Sequence, residues 1–155
     1  MKYIETHIDI EAPPEDIWEV LTDFASYARD GWNGYITSIV VDARAGGRVT
    51  AVTESPLLNQ RELKARIISA TFPELSWEAK LPVPGTLRAK HYFRVVALSP
   101  TRSRFVQGES VSGVLTATVF HLVEKSEPGF EIMNRAIKHR TEARNRQLTT
   151  ANAGG

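Results

Sequence analysis

The chain reads as an α+β domain, a curved antiparallel sheet closed by one long C-terminal helix. Three observations predict it. Alternating apolar and polar residues open the chain and return in about six later segments. Two short helical stretches follow the first strand, and helical spacing takes over after Gly129. The sheet has one apolar face to cover, and only the last helix is long enough to cover it.

The first strand spans Tyr3 to Glu11, with Ile4, Thr6, Ile8 and Ile10 on one face. The stretch APPED then starts a helix: proline suits a first turn whose N–H groups lack partners, and Glu15 and Asp16 suit the positive end of the helix dipole. Ile17, Val20, Leu21 and Phe24 follow at helical spacing, and a second short helix covers Ser26 to Asp30 before the loop GWNGY. Strands are expected over Thr37–Ala43, GGRVTAVTES, Glu62–Thr71, Leu75–Leu81, Thr86–Ala97 and Ser103–Ser110. Their connections are short, which makes the sheet an antiparallel meander. In the final helix Phe130, Met133, Ala136 and Ile137 form the apolar stripe. Its basic residues, Arg135 to Arg146, read as a solvated face or, alternatively, a phosphate site. Residues 1–148 form a single domain in this reading and 149–155 a flexible tail.

Composition narrows the function classes. The 155 residues suffice for one sizeable core. Nineteen Lys and Arg against 18 Asp and Glu leave a net charge of +1, which gives no general attraction to nucleic acid or anionic lipid. The absence of cysteine excludes disulfides, Cys-ligated zinc and a thiol nucleophile, and fits a cytoplasmic protein. No run approaches membrane-spanning length, and no apolar signal region opens the chain. No nucleophile elbow, phosphate-binding Gly loop or His-x-x-x-His pair appears. His7, His91, His121 and His139 fall on separate elements, with His7 and His139 expected in solvent, so neither a metal nor a cofactor is expected.

Several stretches resemble the SRPBCC superfamily, the START-like or helix-grip fold that includes the polyketide cyclase/dehydrase group. They are IEAPPEDIWEVLTDFASYARDGWNGYI (10–36), LSWEAKL (75–81), GTLRAKHYFRV (85–95), FVQGESVSG (105–113) and GFEIMNRAIKHRTEARN (129–145). The likeness covers roughly residues 3–145 and rests on diffuse apolar signatures, which speak to fold more than chemistry. It implies a terminal helix gripping the sheet around a deep cavity for an apolar or aromatic molecule. Superfamily members include lipid carriers, hormone receptors and aromatase/cyclases. This chain departs from the usual pattern at Gly34, where Pro commonly follows Trp-Asn.

Within LRAKHYFRV, His91 occupies the apolar row of Leu87, Ala89, Phe93 and Val95. Phe105 continues an odd-numbered row on the next strand, so the register must pair odd with odd. Centring the turn on Pro100 sets Ala97 opposite Ser103, Val95 opposite Phe105, Phe93 opposite Gln107 and His91 opposite Glu109. Opposed Cβ atoms lie about 4.5–5.5 Å apart, within reach of an imidazole–carboxylate interaction. Three readings of the pair stay open: mutual satisfaction that fixes register, hydrogen bonding to a ligand, and acid–base catalysis with Glu109 setting the tautomer of His91.

The resemblance places Trp32, Asn33 and Tyr35 at the cavity rim, where Trp32 either stacks on a ligand or packs as an ordinary buried ring. Trp77, Phe93, Phe105 and Gln107 face inward from the sheet, and Met133 and Ile137 face it from the terminal helix, as core or as cavity ceiling. Ala65, Ala79 and Ala89 leave inward volume unfilled. Two functions follow from the resemblance: a carrier or sensor of a small hydrophobic or aromatic molecule, and a cofactor-independent cyclase/dehydratase using His91 and Glu109. A third, a protein-interaction module, requires Trp32, Tyr35 and Trp77 to be exposed together. The partner is expected to be a small molecule, with no nucleic acid, and a monomer or a homodimer fits equally.

Overall fold

Alternation along seven strands builds one antiparallel sheet, described over residues 1–154 in a computed structural model. The elements are β1 (Lys2–Ile10), α1 (Pro14–Thr22), α2 (Phe24–Asp30), β2 (Ile36–Val41), β3 (Arg48–Ser55), β4 (Leu58–Thr71), β5 (Glu74–Lys80), β6 (Arg88–Ser99), β7 (Arg102–Ser112), α3 (Thr116–Glu124) and α4 (Glu127–Ala153). The sheet order is β1-β7-β6-β5-β4-β3-β2: a six-strand meander from β2 to β7, with β1 paired to the free edge of β7. This is the helix-grip architecture.

The inward residues run as rows across the strands. Trp77, His91, Glu109 and Ile4 are successive partners across β5, β6, β7 and β1. The next row is Leu75, Phe93, Gln107 and Thr6. The row on the other side of His91 is Ala79, Ala89 and Val111. The β6–β7 pairing matches the odd-to-odd register read from the sequence at all four expected positions.

Helix α4 presents Phe130, Met133, Asn134, Ile137 and Thr141 inward, a stripe at helical spacing. It lies along β1, tied by Asn134 Nδ2 to Thr6 Oγ1 (2.9 Å), Lys138 Nζ to the Asp9 carbonyl (2.8 Å) and the Glu11 N–H to Glu142 Oε1 (3.0 Å). Two glycines permit the close approach of α4 to the loop before β2. A Cβ on Gly34 would stand 2.9 Å from Ile132 Cγ2, and one on Gly129 would enter the Tyr35 ring. The Gly34 departure thus has a packing reason.

Three elements differ from expectation. Helix α3 lies where no helix was expected. Strand β4 begins at Leu58, ahead of Glu62, because a tight hairpin pairs Leu58 with Ser55. Helix α4 begins at Glu127 with Pro128 in its first turn, and it continues through residues 149–153, where the sequence suggested a tail. Gly155 lies outside the described residues.

Candidate functional site

Between the sheet and the start of α4 lies a cavity of about 250 Å³. Trp77, Ala79, Ala89, His91 and Glu109 wall it from β5, β6 and β7, and Tyr35 and Ser126 close it from the helix side. Its mouth is polar, with Asn59, Arg61 and Glu62 of β4 at the rim. The small side chains of Ala79 and Ala89, adjacent in one row, leave the space that a larger pair would fill. A larger cleft of about 490 Å³ lies between the Pro82–Gly85 loop and Lys80, Arg88 and Ser112. Its wall carries no histidine, carboxylate or aromatic ring, unlike that of the smaller cavity.

His91 is 7% exposed and boxed by aromatic rings. Trp77 stacks on it at 5.4 Å with planes 14° apart, Phe93 lies at 4.6 Å, and Phe130 of α4 meets it edge-on at 5.0 Å. Its Nδ1 is 3.8 Å from Glu109 Oε2, longer than a hydrogen bond. Its Nε2 lies 3.3 Å from the amide nitrogen of Gln107. The Trp77 indole N–H and the Gln107 Oε1 are buried without partners. A donor left unpaired in a cavity wall is costly, and an acceptor atom on a bound molecule would remove that cost.

Tyr35 packs edge-on against Phe130 at 5.4 Å. Burial pushes its phenol well above the usual tyrosine range, the Glu109 charge adds to this, and the Ser126 hydroxyl and Arg61 act against it. At neutral pH the Tyr35 hydroxyl is therefore a proton donor facing the same space as Glu109.

The chain as a whole has recognisable relatives. The family described as "Polyketide cyclase / dehydrase and lipid transport" matches residues 1–151. The chain belongs to that family. No curated protein sequence matches it. Among solved structures, the chain is similar to the ZhuI aromatase/cyclase from Streptomyces sp. R1128, with TM-score 0.71 and 14% identity over 92% of this chain and 94% of that one. It is similar to a START superfamily protein from Mycobacterium smegmatis, with TM-score 0.68 and 16% identity over 91% and 97%. It also resembles norcoclaurine synthase from Thalictrum flavum, solved with dopamine and hydroxybenzaldehyde, with TM-score 0.64 and 15% identity over 92% and 87%. At such identities these likenesses speak for the fold.

Within this cyclase/dehydrase-family fold, the sequence-derived candidates divide. His91, Glu109, Trp77 and Tyr35 come together around the cavity, and Phe93 and Gln107 lie directly behind His91. Phe105, Met133 and Ile137 are fully buried in packed core and do not wall it. Trp32 is not at the rim. Its indole N–H donates to Ser26 Oγ (2.9 Å), it packs on Tyr27 at 4.8 Å, and Arg140 lies 5.2 Å over its outer face. Asn33 folds the loop, its Oδ1 accepting from the N–H groups of Tyr35 (2.9 Å) and Ile36 (3.0 Å). Tyr35 and Trp77 are 6% and 2% exposed, so the three aromatics form no common surface patch.

Asn59, Arg61 and Ser126 were absent from the sequence reading. Nothing in the alternation of β4 marks its mouth-facing residues, because that strand is polar on both faces at its start. Among the described residues, no cluster of His, Cys, Asp or Glu is placed to hold a metal, and no helix is long and apolar enough to cross a membrane.

Proposed function

We propose that the chain binds a small aromatic molecule in the cavity between sheet and α4, and that the His91–Glu109 pair moves protons on it. The chemistry would be cyclisation or dehydration of a polyketide-like precursor. The observation that supports this is a histidine stacked on Trp77 and facing a carboxylate at 3.8 Å, both in the wall of a chamber. A packed core would close over such a pair or replace it with apolar side chains.

Size limits the ligand. Small-molecule sites run to roughly 300–1,000 Å³, and an apolar cavity of about 150 Å³ takes benzene. A volume of about 250 Å³ suits one or two fused rings. The norcoclaurine synthase neighbour was solved with single-ring molecules of that class. The Trp77 face supplies stacking, and its N–H calls for a carbonyl or hydroxyl oxygen on the ligand. Proton transfer here needs no cofactor.

A carrier of the same ligand is the second reading. The 3.8 Å separation favours it to the extent that a pair poised for proton transfer would sit closer. Fluorescence titration with 2-naphthol tests the chamber: wild type should bind, and Ala89→Phe, which fills the space, should abolish binding. Binding unchanged in Ala89→Phe would refute the chamber as the site. His91→Ala and His91→Gln then separate the two readings. Loss of turnover with 2-naphthol binding retained supports catalysis, turnover surviving in both variants removes His91 from the chemistry, and a wild type that binds without turnover leaves a carrier.

A further inference from the structure

The two ring nitrogens of His91 meet different surroundings, and this decides which member of the pair takes a proton. Nδ1 points toward Glu109 Oε2, on the chamber side. Nε2 points away from the chamber, toward Gln107 Nε2 at 3.3 Å. Gln107 is fully buried and contributes nothing to the chamber wall. An amide nitrogen has hydrogens to give and no lone pair to accept with. Its contact with the imidazole is a hydrogen bond only if Nε2 brings the lone pair. The ring hydrogen of neutral His91 is then on Nδ1, directed at Glu109.

Resting on the chamber reading above, we infer that Glu109 is the proton acceptor of the pair and that Gln107 is the positioning residue that makes it so. The lone pair that would make His91 a base is engaged by Gln107. His91 presents an N–H, not a lone pair, to the carboxylate 3.8 Å away. Glu109 reaches the chamber with its side chain 19% exposed, and among the described residues no lysine or arginine pairs with it. The other ionisable groups in the wall are the Tyr35 phenol and, at the mouth, Arg61 and Glu62. In a dehydration, a proton would leave an activated C–H of the ligand for Glu109 Oε2. The C–H electrons would form the new C=C bond as the β C–O bond breaks. The departing hydroxide would take the proton back from Glu109 and leave as water.

Nitrogen NMR on the ¹⁵N-labelled protein tests this without any ligand. In a long-range ¹H–¹⁵N correlation at about pH 7, Nε2 couples to both carbon-bound ring hydrogens and Nδ1 strongly to one. His91→Gln identifies the His91 signals by their loss. The expected result is the lone-pair shift on Nε2. A lone pair on Nδ1, which follows if the amide is turned so that Oε1 faces the ring, overturns the assignment, as does a doubly protonated ring. Gln107→Leu should bring the two nitrogen shifts toward each other. A wild-type pattern in a folded Gln107→Leu protein would deny Gln107 its role, and if that variant does not fold, Gln107→Met makes the same test. Failure of wild type to bind 2-naphthol would defeat the chamber reading while leaving the tautomer result standing, so the two failures are distinct.

Discussion

The Trp77 indole lies nearly parallel to the His91 imidazole, 5.4 Å away, because the two residues are register partners on β5 and β6. Cross-strand pairing therefore fixes one flat wall of the cavity, and α4 adds Phe130 across its edge. Trp77 has two roles that substitution can separate. Trp77→Ala should cost about 3–5 kcal/mol in urea unfolding, as for other large buried aromatics. Trp77→Phe keeps a ring and removes an indole N–H buried without a partner, so it should cost about 2 kcal/mol or less. It should still weaken 2-naphthol, through the loss of stacking area and of the donor. A Phe variant as unstable as the Ala variant would contradict the unpartnered N–H.

Trp32 should behave oppositely. It joins α2 to the outer face of α4, where Arg140 covers it and also reaches Asp30 Oδ2 at 2.6 Å. Hydrogen bonds from Arg29 and then Arg140 hold the Asp30 carboxyl down to about 2, outweighing burial, so this link stays charged until pH falls through that value. Trp32→Phe should leave 2-naphthol affinity unchanged within error while lowering the urea midpoint through loss of the Ser26 hydrogen bond. A several-fold drop in affinity would return Trp32 to the binding site.

What was legible in the sequence was whatever depended on period and register. Two odd-numbered apolar rows and a turn at Pro100 were enough to set His91 opposite Glu109, since a slip by one residue would expose a whole row. The direction of a loop side chain has no such period. Trp32 turned toward Ser26 and Tyr27 because α2 supplied a hydroxyl and a ring at the right distance, which is a tertiary fact. Helix α3 went unseen for a related reason. TATVFHLVE is rich in β-branched and apolar residues, begins without a side-chain cap and owes its helicity to packing on β1 and β7. The core stripe of α4 was plain, but whether Met133 and Ile137 met a cavity or a packed sheet depended on volumes that spacing does not encode.

Gly129 and Tyr35 provide a test of how α4 shapes the chamber. Gly to Ala inside a helix ordinarily stabilises by about 1 kcal/mol. Here the added Cβ would stand 2.7 Å from Tyr35 Cε2 and nearer still to Cδ2, so the ring that closes the cavity must move. Gly129→Ala alone should destabilise by about 1–3 kcal/mol, the usual cost of overpacking. In a Tyr35→Ala background the clash is gone, and the same substitution should be neutral or stabilising. The coupling from this double-mutant cycle should exceed about 1 kcal/mol in magnitude. Additive effects would mean that α4 and the Tyr35 ring adjust independently.

The alkaline limit of stability should be set in part by Tyr27. The ring is 1% exposed, and its hydroxyl donates to the Leu21 carbonyl near the end of α1 at 2.6 Å. Burial pushes the phenol far above the usual tyrosine range, the Asp23 charge adds to this, and Arg140 partly opposes it. A group whose pKa is raised on folding contributes stability in full below its unfolded pKa, and that contribution is lost as pH rises through that value toward the folded one. The loss should therefore begin at about pH 10. Tyr35 is shifted in the same direction, chiefly by burial, and should add to the slope. Tyr27→Phe should cost about 1–2 kcal/mol near neutral pH, since Leu21 loses its buried donor. It should also flatten the fall in urea midpoint above about pH 10, and Tyr27→Phe with Tyr35→Phe should flatten it further. The measurement is a series of urea midpoints from about pH 8 to 11 on all three proteins. Equal slopes above the unfolded tyrosine pKa in wild type and the double variant would show that neither phenol titrates as a buried group, and α2 would then need a different account of what seals it against α1.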